Sequence, residues 1–238
     1  MATFRKVKEQ NFIDICDEGT LEEVQEAINS GIDVNVLDEY GENGLHCAAA
    51  RNSADVVRAL IKAGCKVNLA AYDGNTPLAW AAAHNTPEVV QILIDAGAEV
   101  NAARYDGLTA LLGAARNNTP EVIKILVNAG ANVNARDTNG MTALLTAAQF
   151  NVPEAANILI DAGADDVVNN SGDNALMLAA RWNSPEMVED LLNAGAEVKT
   201  RNKEGKTAFD QAQENEKLQG SDALKHLEKL MKEEAEIV

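Results

Sequence analysis

One glycine returns along this chain at a nearly constant interval, and that interval constrains the fold more than any other feature. It stands at Gly31, Gly64, Gly97, Gly130, Gly163 and Gly195, in steps of 33, 33, 33, 33 and 32. A second series, Gly41, Gly74, Gly107, Gly140, Gly172 and Gly205, steps by 33, 33, 33, 32 and 33. Both series lose a single residue between Gly163 and Gly172, so two independent markers agree on one deletion. A period of this length means that one supersecondary unit is stacked many times, each unit burying its apolar face against its neighbours.

Each unit carries the signals of two helices. Thr76, Thr109, Thr142 and Thr207, with Asn43 and Asn174 in register, supply N-caps to a short first helix. Inside it lies an alanine pair: Ala48-Ala49, Ala81-Ala82, Ala114-Ala115, Ala147-Ala148 and Ala179-Ala180. Such small side chains let neighbouring helices approach closely. Next comes Asn52, Asn85, Asn118, Asn151 or Asn183, with Gly19 at that place in the first unit. Because Gly and Asn share a tolerance for left-handed backbone, a turn with positive φ is expected there. Thr86-Pro87-Glu88, Thr119-Pro120-Glu121 and Ser184-Pro185-Glu186 then open a second helix: cap, proline at the first helical position, and an acid facing the positive helix end. All five prolines occupy such starts. Apolar residues follow at helical spacing, as in Val89, Val90, Ile92 and Leu93, and the first glycine series closes the helix as its C′ residue. The spacing predicts helices over 77–84, 87–95, 110–117 and 120–128.

A 33-residue turn–helix–helix unit carrying Gly74-x-Thr76-Pro77-Leu78, Leu45-His46-x-Ala48-Ala49, Ala98-x-Val100-Asn101 and Ala131-x-Val133-Asn134 resembles the ankyrin repeat. The resemblance runs from about Asn11 to Leu230 and implies an all-α ankyrin-repeat solenoid of stacked helix–turn–helix units with projecting turns. It divides the chain into an N-terminal capping repeat, 1–37, repeats at 38–70, 71–103, 104–136, 137–168 and 169–201, and a capping repeat with a closing helix at 202–238. Departures are informative. Only His46 keeps the family's histidine; Ala79, Leu112, Leu145, Met177 and Asp210 replace it elsewhere. The last repeat gains about three residues near Lys217–Ser221, ahead of a stripe of Ala223, Leu224, Leu227, Leu230 and Met231. The junction at 163–172, where Ala-Asp-Asp-Val-Val replaces the Ala-x-Val-Asn pattern and Val152 replaces a capping Ser or Thr, is the expected weak link.

Composition removes several functional classes. With 20 Lys and Arg against 37 Asp and Glu, the net charge of −17 opposes nucleic acid, whose binding depends on neutralising phosphates, and opposes an anionic membrane. No apolar run approaches the roughly 18 residues of a membrane span. Met1 to Asn11 is polar and charged, unlike a secretory leader, and Cys16, Cys47 and Cys65 have no CxxC spacing. A cytoplasmic protein with reduced thiols is expected. His46, His84 and His226 are far apart, so no short-spaced metal site is indicated. The glycines follow the repeat and form no phosphate loop. No cofactor and no enzymatic activity are expected.

The aromatic residues are what rise above this background. In the ankyrin family, the turn tips and the concave edge of the first helices usually contact partners. Tyr40, Tyr72 and Tyr105 fall on the turns, and Phe150 and Trp182 on first-helix edges, with Trp80 on the same helix type. Arg51, His84, Arg116 and Arg181 join the edge positions, and Leu108 and Met141 follow turn glycines. Tyr, Trp and Arg are the types enriched at binding hot spots. These twelve residues are the candidate protein-binding set. A groove on the order of 60 Å, from helices spaced about 8–10 Å apart, suffices for an interface of about 1,200–2,000 Å². The reading is a non-catalytic scaffold, monomeric alone, that grips a partner protein offering basic and apolar contacts. A self-associating structural unit and a regulator of a partner enzyme are the alternatives.

Overall fold

A computed structural model describes residues 11–51, 53–84, 87–117, 119–150 and 152–233. Among them are fourteen α-helices in seven successive pairs. The first helices of the pairs are α1 (11–18), α3 (Gly44–Arg51), α5 (Pro77–His84), α7 (Ala110–Arg116), α9 (Ala143–Phe150), α11 (Ala175–Trp182) and α13 (Ala208–Glu214). The second helices are α2 (Leu21–Asn29), α4 (Ala54–Lys62), α6 (Pro87–Asp95), α8 (Pro120–Asn128), α10 (Pro153–Asp161), α12 (Pro185–Asn193) and α14 (Asp222–Glu233). The fold is all-α; the described residues hold no strand beyond an isolated bridge between Ala103 and Thr109. Three of the four helices expected from spacing have the expected bounds, and α7 ends one residue early.

The caps explain where each first helix starts. Thr76, Thr109, Thr142 and Thr207 each accept a hydrogen bond at Oγ1 from the N–H three residues on, at 3.2–3.4 Å. Asn43 and Asn174 do the same through Oδ1. Among the second helices Ser53 caps Val56, whereas Ser184 has the extended N-cap backbone without a side-chain cap bond, a correction to its expected role. Proline at the first position already removes one orphan donor there. Helices close as expected: Gly64, at φ +91°, donates to Ile61, and Cys65 donates to Leu60, the paired bonds of a Schellman motif.

The chain forms two compact units, Met1–Asn117 with Lys124–Ala131, and Asn118–Ile123 with Asn132–Val238. In the first, α3, α5 and α7 pack in succession, and so do α2, α4 and α6. In the second, α9, α11 and α13 form one layer and α10, α12 and α14 the other. The alanine pairs are buried throughout, which permits this close approach. One leucine register, Leu60, Leu93 and Leu126 in the first unit and Leu159 and Leu191 in the second, is fully buried. Truncating such a leucine to alanine costs about 2–5 kcal/mol.

The expected positive-φ asparagine turn is corrected. Asn183 is extended, φ −114° and ψ −171°, and Gly19 is not left-handed either; Asn52, Asn85, Asn118 and Asn151 lie outside the described residues. What the end of the helix uses is an amide: Asn183 Nδ2 donates to the Ala148 carbonyl, and Asn215, which ends the one-residue-shorter α13, donates to that of Ala180 at 3.0 Å. Asparagine here satisfies the end of the preceding repeat's first helix, where carbonyls lack helical partners. Gly19 is set by crowding, since a Cβ would lie 2.4 Å from the Ile15 carbonyl oxygen.

A second asparagine series, from the family motif, binds repeat to repeat. Asn35 and Asn68 each accept from an N–H 31 residues on and donate to a carbonyl 29 residues on, at 2.8–3.1 Å. After the one-residue deletion Asp166 takes over the acceptor half, receiving Glu197 N–H at 2.9 Å. Burial pushes its carboxyl above the usual range. In the closing segment Leu218, in a 3-10 turn at Glu216–Leu218, is buried, as are Ala223 and Leu227 of α14.

Candidate protein-binding surface

Within each unit successive turns share a backbone frame. In the first unit, Tyr72 N–H donates to the Tyr40 carbonyl at 2.9 Å and Tyr105 N–H to that of Asp73 at 3.2 Å. In the second, Asn170 N–H reaches Asn139 and Lys203 N–H reaches Ser171, both at 2.9 Å. The glycine ending each turn has positive φ, and at Gly41, Gly74, Gly140 and Gly172 a residue of the next turn lies close against it. A Cβ on Gly41 would lie 2.7–3.0 Å from the Tyr72 ring, and one on Gly140 would meet Asn170 Oδ1 at 2.7 Å. This frame leaves the tyrosine rings outside the core: Tyr40 is 65%, Tyr72 67% and Tyr105 80% exposed.

Three sequence-predicted residues of the first unit come together. Tyr40, Tyr72 and Trp80 line an open cleft of about 470 Å³, together with Glu39, Glu42, Ala71 and Asp73. Trp80, half-buried on α5, donates its Nε1–H to Glu42 Oε1 at 2.8 Å, a bond that fixes the indole. His84, one turn along α5, lies with its ring centroid 5.2 Å from that of Trp80. Glu42 is half-buried, and burial raises its carboxyl above the usual range; Asp38, Asp73 and Asp17 add to the rise while the Trp80 bond opposes it. Beyond the cleft, Arg104 pairs with Asp106 and holds that carboxyl down at about 2, and it stands 3.9 Å from Asp73.

The remaining candidates are dispersed. In the first unit Arg51 is exposed and paired with Asp17 at 3.2 Å, Arg116 is exposed on α7, and Leu108 is half-buried behind its turn. In the second unit Phe150 and Trp182 are exposed on the ends of α9 and α11, and Met141 is half-buried. Arg181 is tied inward: its Nε donates to Gln211 at 2.8 Å, and its guanidinium stands 3.8 Å from the buried Asp173. Sequence reasoning named the aromatic residues but left the carboxylates Glu39, Glu42 and Asp73 out of the set. Their signal was available, since they flank the same turns as the tyrosines.

The reactive side chains are held in quiet states. Burial pushes the Cys47 and Cys65 thiols up to about 12 and Cys16 higher still, so none has thiolate character near neutral pH. His46 is fully buried, with Nδ1 2.8 Å from Asn43 Oδ1 and Nε2 3.3 Å from the Asn75 carbonyl of the next repeat. Among the described residues no group of three His, Cys, Asp or Glu converges as a metal site would. None of the described helices is long and apolar enough to cross a membrane.

A family model described as ankyrin repeats (3 copies) matches residues 12–104 and 111–202. Among solved structures the human ASB11 ankyrin repeat domain is similar, with a TM-score of 0.81 at 25% identity, covering 91% of this chain and 95% of that one. No curated protein matches the chain by sequence. With helix pairs, turn glycines and inter-repeat asparagines all agreeing with a match over most of its length, the chain belongs to the ankyrin-repeat family.

Proposed function

We propose that this chain is a non-catalytic scaffold that binds another protein through its turn tips and the edges of its first helices. Ankyrin repeats are generally protein–protein interaction modules. The observation that carries the reading is the exposure of Tyr40, Tyr72 and Tyr105 on turns whose backbone frame is built equally well from Thr138, Asn139, Asn170 and Ser171. Large rings are not needed there for folding, and tyrosine is enriched at binding hot spots. The net charge of −17 favours a partner with basic contacts. Three free thiols, Cys16, Cys47 and Cys65, fit a reducing compartment such as the cytoplasm. We take the chain to be monomeric when unbound.

Capture of partners on the immobilised full chain, followed by mass spectrometry, identifies the partner; titration calorimetry then tests the face. Tyr105→Ala or Trp182→Ala is expected to cost about 2 kcal/mol or more of binding. Each should change stability by no more than about 0.5 kcal/mol. Glu121→Ala and Glu154→Ala, on exposed second-helix positions, are the controls. If the controls lose binding while the aromatic variants keep it, the face is wrong. If light scattering finds the unbound chain assembled through its ends, the self-associating reading replaces this one.

A further inference from the structure

From the cleft of the first unit we infer a specific contact: it receives a protonated lysine or arginine side chain of the partner protein. This deepens the scaffold reading and rests on it. The cleft is walled by three aromatic residues, Tyr40, Tyr72 and Trp80, and by three carboxylates, Glu39, Glu42 and Asp73, with no basic side chain among them. A ring face attracts a cation through its quadrupole, and a carboxylate adds charge-assisted hydrogen bonds. The two together suit a cation on an apolar stem better than an apolar or anionic group.

The walls are set in advance. Tyr72 is braced against the bare α-carbon of Gly41, and Trp80 is oriented by its bond to Glu42. The charge of the cleft is also left largely uncompensated from within. Asp73 accepts from the Asn75 N–H at 2.9 Å and from Asn75 Nδ2 at 2.7 Å, both neutral donors; the cation near it, Arg104 at 3.9 Å, binds Asp106 more closely. Burial chiefly raises the half-buried Glu42 carboxyl above the usual range, and repulsion from Asp38, Asp73 and Asp17 adds to the rise. An incoming cation relieves that repulsion, so electrostatic strain present in the free chain becomes binding energy. At 470 Å³ the opening holds one extended side chain with its flanking backbone, not a folded domain.

The test uses the full chain labelled with ¹⁵N and three capped tripeptide probes: Gly-Lys-Gly, Gly-Arg-Gly and Gly-norleucine-Gly, the last a neutral analogue of lysine. The lysine and arginine probes are expected to shift the Trp80 indole N–H and the Gly41 and Tyr72 amides along saturable curves. Dissociation constants should lie in the millimolar range on the order of one shallow cation–π contact. Norleucine should leave these signals in place. Glu42→Gln keeps an oxygen to accept the Trp80 bond and removes only charge, so a weakening of about fivefold to tenfold isolates electrostatics. Tyr72→Ala should weaken binding at least as much, and Glu154→Gln should not matter. Equal binding of norleucine, or no shift with any probe up to roughly 50 mM, overturns the assignment. If the probes fail while Tyr105→Ala still abolishes partner capture, the cleft assignment falls alone. If partner capture is insensitive to every aromatic variant, the scaffold reading of this face falls with it.

Discussion

The turns of the two units have one backbone and two side-chain policies. In the first unit, the positions two residues before the turn glycines are Glu39, Tyr72 and Tyr105, the two tyrosines with most of each ring in solvent. In the second they are Thr138, Asn170 and Lys203, and the Asn170 amide donates to the Thr138 carbonyl at 2.9 Å and so serves the stack itself. The inter-turn backbone bonds and the left-handed glycines are common to both. The frame is therefore set by glycine and by inter-repeat hydrogen bonding, while the tip residue is free for another use. The first unit exposes rings and the second secures its own turns. The second also absorbs the irregularities, a deleted residue handled by Asp166 and an added 3-10 turn handled by burying Leu218.

The harshest way to break this contrast is to remove what closes the second unit. Deleting 202–238 takes away α13 and α14 and uncovers the faces of α11 and α12 that pack against them. Since repeat stability rests on neighbours, aggregation or a broad, uncooperative melt is expected. A soluble monomer that melts as sharply as the full chain would show that the closing helices are dispensable.

A smaller effect separates two reasons for glycine. Gly74, at φ +91°, also faces backbone: a Cβ would lie 3.1 Å from Arg104 Cα and Tyr105 N. Gly64 has the same φ with nothing within 4 Å. Gly64→Ala should cost roughly 1 kcal/mol for the left-handed conformation alone. Gly74→Ala should cost about 2–3 kcal/mol, because turn and neighbour must part as well. Equal losses in urea melts would mean that the inter-turn contact is slack.

Much of this architecture was legible in advance because it is local and periodic. Two glycine series, five prolines and the Thr or Asn caps fixed helix bounds nearly to the residue. What escaped was long-range. Asn183 looked like a left-handed turn residue, since that is the local property it shares with glycine, yet its amide works on Ala148 in the preceding repeat. The aromatic positions were equally readable, but the Trp80–Glu42 bond joins residues 38 apart and depends on side-chain direction, which no spacing reveals. Arg181 had the same composition signal as a hot spot, and only its partners Gln211 and Asp173 tie it to the interior.

A milder contrast concerns local opening. Val152 gives α10 no side-chain cap, and a lost cap is worth about 0.5–2 kcal/mol. Its burial offsets part of this, and Asp166 restores one of the two bonds an asparagine would make. Hydrogen exchange should therefore be faster in 150–172 than in 77–130. Uniform protection would mean that burial of Val152 and the Asp166 bond compensate in full.

The smallest expected effect is a pH dependence confined to the first unit. Burial holds His46 below its ordinary value of 6.5; bonds to the Asn75 and Leu69 backbone and the carboxylates Asp38 and Asp73 oppose that shift without cancelling it. The unfolded chain thus binds a proton at a pH where the folded chain does not, and stability rises with pH. The contribution is complete above about 6.5 and is lost as pH falls from there towards the lowered value. One proton limits the slope to about 1.4 kcal/mol per pH unit. Glu42 and Asp17, raised chiefly by burial, act with the opposite sign at lower pH, because the folded chain takes up their protons first. The His46 slope should therefore stand out just below about pH 6.5 in urea melts, and flatten once pH passes the lowered value. His46→Gln can still donate towards the Asn75 carbonyl but cannot titrate, so it should be less stable at every pH and lose the slope. If the slope survives in that variant, another group is titrating. If wild type shows none, the buried imidazole takes its proton as readily in the folded chain as in water.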